Sequence, residues 1–484
     1  MPPVEAWQKV FIDREAYFEQ DVHSYINCTT CHAGQNVDDM DAAHEGMIAD
    51  PAADPEAGCG DCHPDIAPYA ADSLHFTLQG YDTAIYQRSS PENHPTLEHM
   101  ESYHCSACHA TCGDCHVSQP NAVGGGFLEG HVFVQTPPMS RTCTACHGSR
   151  VKNEYYGLNE GYPGDVHLRQ GRMACEDCHD GAQMHGIDPN IPLDEDRHLN
   201  ANHRYNGDRE PKCESCHEDE IGVGSGILEH EIHGTELMSC QVCHSVSYTN
   251  CKNCHVDKTE DDVPFYTVED HWLGFFIGRN PLQNNERPYR YVTVRHVPVD
   301  INSFDKYGDN LLDQFLSRPT WEYATPHNIQ RNTPQTESCD SCHGNDEFFL
   351  TPDKLAQYGL DSELGGANLD VVVEHAPPLP ENADELVERI KARIEAEGGT
   401  LEGGGMEAEG AQGGEELSGD EAFWGGGEEE NAPAENADES FWGGGEEENT
   451  DQSAESADDA FWGGGDEGGA DNTENADDAF WGGN

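Results

Sequence analysis

The stretch Cys105-Ser106-Ala107-Cys108-His109-Ala110-Thr111-Cys112-Gly113-Asp114-Cys115-His116 holds two Cys-x-x-Cys-His units with only two residues between them. Working outward, the unit recurs at Cys28-Cys31-His32, Cys59-Cys62-His63, Cys143-Cys146-His147 and Cys175-Cys178-His179. It appears again at Cys213-Cys216-His217, Cys240-Cys243-His244, Cys251-Cys254-His255 and Cys339-Cys342-His343. These ten units use all 20 cysteines, and a histidine follows every pair.

Cys-x-x-Cys-His is the attachment signature of c-type haem. Two thiols one short turn apart reach the two vinyl groups on one porphyrin edge. The next residue then lies under the iron, where its imidazole becomes the proximal ligand. Disulfides, redox pairs and zinc knuckles also use Cys-x-x-Cys, but none gives the following histidine a role. Ten units out of ten therefore predict ten covalent haems c, held by the twenty cysteines, with His32, His63, His109, His116, His147, His179, His217, His244, His255 and His343 as proximal ligands.

Seventeen histidines lie outside the motifs, enough to close the distal side of all ten irons. The distal candidates are His23, His44, His75, His99, His104, His131, His167, His185, His203, His230, His233, His271, His296 and His327; His94, His198 and His375 rank lowest. His23, His104, His167 and His233 lie shortly upstream of a motif, and His131 and His327 each precede one by a dozen residues. The tripeptide Leu-Glu-His occurs at 97–99 and 228–230, each time ahead of a motif doublet, so 97–117 and 228–256 read as repeated modules.

With these residues in place, the chain resembles the multihaem c-type cytochromes of bacterial and archaeal respiration. The resemblance rests on the ten motifs and covers residues 28–343. The 105–116 doublet is similar to the packed haem pairs of octahaem reductases and of extracellular electron-conducting cytochromes. The resemblance implies electron transfer through mostly bis-His, low-spin haems, in anaerobic respiration or extracellular electron transfer, with no catalytic residue. Its alternative is a reductase or oxidoreductase of small nitrogen or sulfur oxyanions with one open iron. Lysine serves as a distal ligand in tetrathionate-reducing relatives, and Lys152, five residues past His147, is the one lysine placed for that role.

Composition fits this reading. Only 35% of residues are hydrophobic, thin for a protein-only core. The expected fold is mostly loop with short α-helices wrapped around a packed haem array, with little β. Residues 289–299 alternate apolar and polar and read as a strand, 311–316 as a short helix. Residues 381–396 read as an amphipathic helix capped by Asn382 or Asp384, with Leu386, Val387, Ile390 and Ile394 on one face.

The expected division is a decahaem core over 1–376, a linker with the short helix over 377–397, and an acidic Gly-rich tail over 398–484. The chain carries a formal charge of −68, with 93 acids against 25 bases and no base beyond Arg393. Nucleic acid would be repelled, and no apolar run approaches a membrane span. Low hydrophobicity and high charge predict disorder in the tail. There Phe423-Trp424-Gly425, Phe441-Trp442-Gly443, Phe461-Trp462-Gly463 and Phe480-Trp481-Gly482 form four repeats, read as solvated linker or as docking motifs for an unknown partner. Redox proteins, and a homo-oligomer or filament, are the other expected partners. Haem is attached outside the cytoplasm, so a periplasmic or extracellular location is expected, although the chain shows no signal peptide.

Overall fold

The computed structural model describes residues 5–105, 110–120, 123–158, 161–187, 210–218, 221–247, 254–268, 274–285, 287–357 and 366–397. Short helices and loops dominate, with little strand. The chain divides into Met1–Glu407 and Ala408–Asn484; the second unit, with the four Phe-Trp-Gly repeats, lies outside the described residues.

Most motifs occupy one helical turn. Cys28–His32, Cys112–His116 and Cys240–His244 are helical, as are Cys143–Cys146 and Cys339–Cys342, while Cys175–Asp177 and Cys213–Ser215 are 3-10 turns. The turn is closed by the motif histidine's own backbone: His63, His147, His179, His217 and His343 each donate N–H to the carbonyl of their first cysteine at 2.8–3.0 Å. The ninth motif departs from this pattern. The backbone at Cys254 and His255 opens strand β1 (Cys254–Lys258), which pairs antiparallel with β2 (Pro264–Val268).

Five helices carry or adjoin histidines from outside the motifs: α1 (Met40–His44), α2 (Leu74–Thr77), α3 (His94–His104), α4 (Gly181–Met184) and α5 (Leu228–His233). A sixth, α6 (Ala383–Ala396), packs against α5. The two Leu-Glu-His tripeptides lie on α3 and α5. Asp39 caps α1 and Asp180 caps α4, each accepting a backbone N–H three residues on, at 2.9 and 2.7 Å.

Aliphatic and aromatic packing concentrates in the long interval between the ninth and tenth motifs. Strands β3 (Phe276–Arg279), β4 (Tyr291–His296) and β5 (Trp321–Tyr323) form an antiparallel sheet with β4 in the centre. Phe276, Val292, Val294 and Trp321 pack there with Leu312, Phe315, Leu350 and Val371, and α3 adds Leu97 and Met100. The strand expected over 289–299 is present as β4, and it is buried on both faces, where its polar side chains find partners. Thr293 Oγ1 donates to Ala324 O at 2.6 Å, and Arg295 pairs with buried Glu154. The short helix expected over 311–316 is a turn that leads into a 3-10 segment, Phe315–Ser317.

Helix α6 begins close to where its sequence placed it, although Asn382 makes no side-chain cap bond. It buries Ile390 and Ile394, and Arg393 ion-pairs with Glu231 of α5. The short helix expected in 377–397 is thus present, and it lies in the first unit. Among the described residues, no helix is long and apolar enough to cross a membrane.

Candidate functional site

The motif histidines do not stand alone. Eight of them face a histidine from outside the motifs, with ring centres 5.9–6.3 Å apart. In chain order of the motifs, the pairs are His32–His131, His63–His23, His116–His185, His147–His75, His179–His327, His217–His167, His244–His230 and His343–His233. Metal–imidazole bonds of about 2.0–2.1 Å on opposite sides of one ion set ring centres roughly 6.3 Å apart. The spacing therefore leaves room for one six-coordinate iron between each pair.

The ring nitrogens are sorted for that task. Nδ1–H of His32 donates to Ile48 O (2.9 Å), of His116 to Val134 O (2.7 Å), and of His233 to Glu229 O (2.9 Å). His244 donates likewise to Gln330 O and His343 to Pro377 O, both at 3.2 Å. A carbonyl only accepts, so the proton sits on Nδ1 and the lone pair on Nε2 is left for a metal. Burial, then the neighbouring His147 imidazole, lowers His75 to about 4. Burial first also lowers His131, His147, His185, His233, His244 and His327. Neutral imidazole is the ligating form.

The pairs form a series. Cys31 lies within electrostatic reach of Cys59 and Cys62. Cys59 lies beside Cys112, and Cys115 is near Cys143. Cys143 lies beside Cys175, and Cys178 lies near Cys216. Cys213 lies beside Cys240, and Cys243 lies near Cys342. The eight sites thus follow one another as motifs one, two, four, five, six, seven, eight and ten. At the two ends, Cys28, Cys31 and Cys339 are exposed.

The series is also a duplication. Asp21-Val22-His23 precedes the first motif and Asp165-Val166-His167 the sixth. Oδ1 of Asp21 accepts both the backbone N–H (2.6 Å) and Nδ1–H (3.0 Å) of His23, while Oδ2 accepts Phe133 N–H (2.5 Å). Asp165 does the same with His167 (2.7 and 2.9 Å) and Ile329 N–H (2.6 Å). Phe133 and Ile329 each lie two residues past a paired histidine, His131 and His327. One residue further, Val134 N–H bonds His116 O and Gln330 N–H bonds His244 O, both at 2.8 Å. The fourth motif therefore corresponds to the eighth. The two Leu-Glu-His modules, 97–117 and 228–256, are offset by one motif from the alignment their sequences suggested.

Other predicted residues lie elsewhere. His104 Nε2 meets Tyr307 Oη at 2.8 Å, and His99 packs on Tyr103 and Tyr307. His296 sits in the apolar sheet edge-on to Trp321, where Nδ1–H donates to Val297 O at 2.6 Å. His44 is exposed, with Nδ1–H donating to Met40 O at 2.8 Å. None of these four faces a described motif histidine. His94 stacks on Tyr86, and His375 is exposed beside Asp346. Lys152 is not opposite His147, because His75 takes that place. Cys108, His109, His198, His203, Cys251 and His271 lie outside the described residues, as do the side chains of Cys254 and His255.

Sequence reading missed Asp21, Asp165 and Glu154. The repeated Asp-Val-His could have revealed the first two. Glu154 gave no local signal: it is buried, binds Arg295, and accepts His327 N–H through Oε2 at 2.7 Å. Among the described residues, no group of three or more His, Cys, Asp or Glu is arranged to hold a metal ion. A haem iron asks for only two protein ligands. No protein-family model matches the chain, and neither does any curated protein or solved structure.

Proposed function

We propose that the chain is a multihaem c-type cytochrome that carries electrons in single file through bis-His haems. The observation that supports this most directly is the set of eight motif histidines, each facing a second imidazole at 5.9–6.3 Å. When bound, the haems supply the redox chemistry, each iron exchanging one electron. The cysteine pairs would fix each group at a set place, and the paired imidazoles would hold the iron and leave it no place for a substrate. Protein burial and the backbone bonds to Nδ1 hold the ligands still and limit reorganisation.

The order of the sites gives such a path two ends, the His32–His131 site and the His343–His233 site, where redox partner proteins would exchange electrons with it. Haem attachment would put the chain in the periplasm or outside the cell. The reductase alternative needs an iron with one open face, and no observation among the described residues favours it.

The test is the haem count. Pyridine haemochrome absorbance and the intact mass of the purified protein should give ten haems per chain. A cysteine-bound zinc or disulfide protein would give none, and that result would end the proposal.

A further inference from the structure

Asp21 and Asp165 each grip a paired histidine through Nδ1–H, at 3.0 and 2.9 Å. Both are shielded, with side chains 0% and 2% exposed. Each also accepts two backbone N–H groups, so three N–H donors converge on one buried anion. Six other paired histidines among the described residues have neutral Nδ1 partners: main-chain carbonyls for His32, His116, His233, His244 and His343, and the Gln183 amide for His179 at 2.9 Å.

A carboxylate on Nδ1–H gives the imidazole more anionic character and makes it a stronger donor to the metal. It also places a full negative charge in a low-dielectric setting near the iron. Both effects favour the ferric over the ferrous state, because reduction adds one electron to a site already facing an anion.

We propose that Asp21 and Asp165 are positioning residues that make the sites of the second and seventh motifs, His63–His23 and His217–His167, low-potential stations of the array, one in each half of the duplication. This rests on the haem reading above. The two stations fall second and sixth in the order of the eight described sites, so an electron moving along the file meets one uphill step in each half.

The experiment is a potentiometric titration of the full-length holoprotein, followed optically and by EPR, with haem counted on every sample. In Asp21→Asn and Asp165→Asn, one haem in ten should move to higher potential, a different one in each variant, with ten haems retained. Asp165→Glu should keep the low potential. Gln183→Glu is the converse test: a carboxylate placed against His179 should lower the potential of one haem. If the Asn variants fold poorly, Gln183→Glu and Asp165→Glu still decide the matter. Titration curves that superimpose across wild type, Asp165→Asn and Gln183→Glu with ten haems present would overturn this proposal and leave the haem reading intact. Absence of haem from the wild type would overturn the reading itself.

Discussion

His327 lies 6.3 Å from His179, ring centre to ring centre, with the two planes 21° from parallel. Nothing local brings them together. Asp165 and Glu154 do it, by accepting the backbone N–H groups of Ile329 and His327. Replacing His327 with Leu should therefore leave the haem attached through Cys175 and Cys178 but open one face of its iron. One haem in ten should turn high-spin and bind carbon monoxide, and added imidazole should restore the low-spin spectrum. Unchanged spectra would mean that His327 is not a ligand.

The Glu154–Arg295 pair is buried on both sides and ties the His327 segment to β4. Removing one partner strands the other charge. Arg295→Met should cost about 3–5 kcal/mol in denaturant unfolding. The loss should come with a weakened His179–His327 site, visible as partial high-spin character in that haem alone.

Trp321 is fully buried in the sheet, packed near Phe276 and edge-on to His296. Trp321→Ala should cost about 3–5 kcal/mol through lost burial and a cavity. The haem count should hold, because Trp321 packs on Phe276 and His296 and not on a paired histidine.

Ending the chain after Glu397 removes most of the acidic tail but keeps α6, whose Ile390 and Ile394 are buried. Haem content and unfolding midpoint should match the full chain. Ending it after Pro380 removes those two side chains and the Arg393–Glu231 pair, and should lower the midpoint. The site most exposed to that loss is His343–His233, since His233 lies on α5 beside Glu231.

The motif part of the candidate site was legible in the sequence because attachment of a haem through two thiols would dictate local spacing. The two cysteines and the following histidine would have to share one turn, and they do so in most motifs. Candidate distal histidines obey no such rule. His131 and His327 stood out by their matching distance to the next motif, and the structure sets them opposite His32 and His179. His104 and His296 had comparable standing, but one meets Tyr307 and the other lies in the sheet core. Proximity to a motif along the chain does not determine proximity in space when loops do the folding. The strand over 289–299 was legible from its alternation, but the burial of Arg295 was not, because its partner Glu154 lies far away in sequence.

The most direct test of the account is low-temperature EPR of the fully oxidised holoprotein, with haem quantified on the same sample. The account predicts low-spin ferric signals for at least the eight described sites. Two classes should appear, because near-parallel rings (His116–His185, His179–His327, His343–His233, at 18–21°) and near-perpendicular ones (His147–His75 and His244–His230, at 80° and 77°) split the iron d orbitals differently. Mostly high-spin haem, or a protein that holds none, would contradict it.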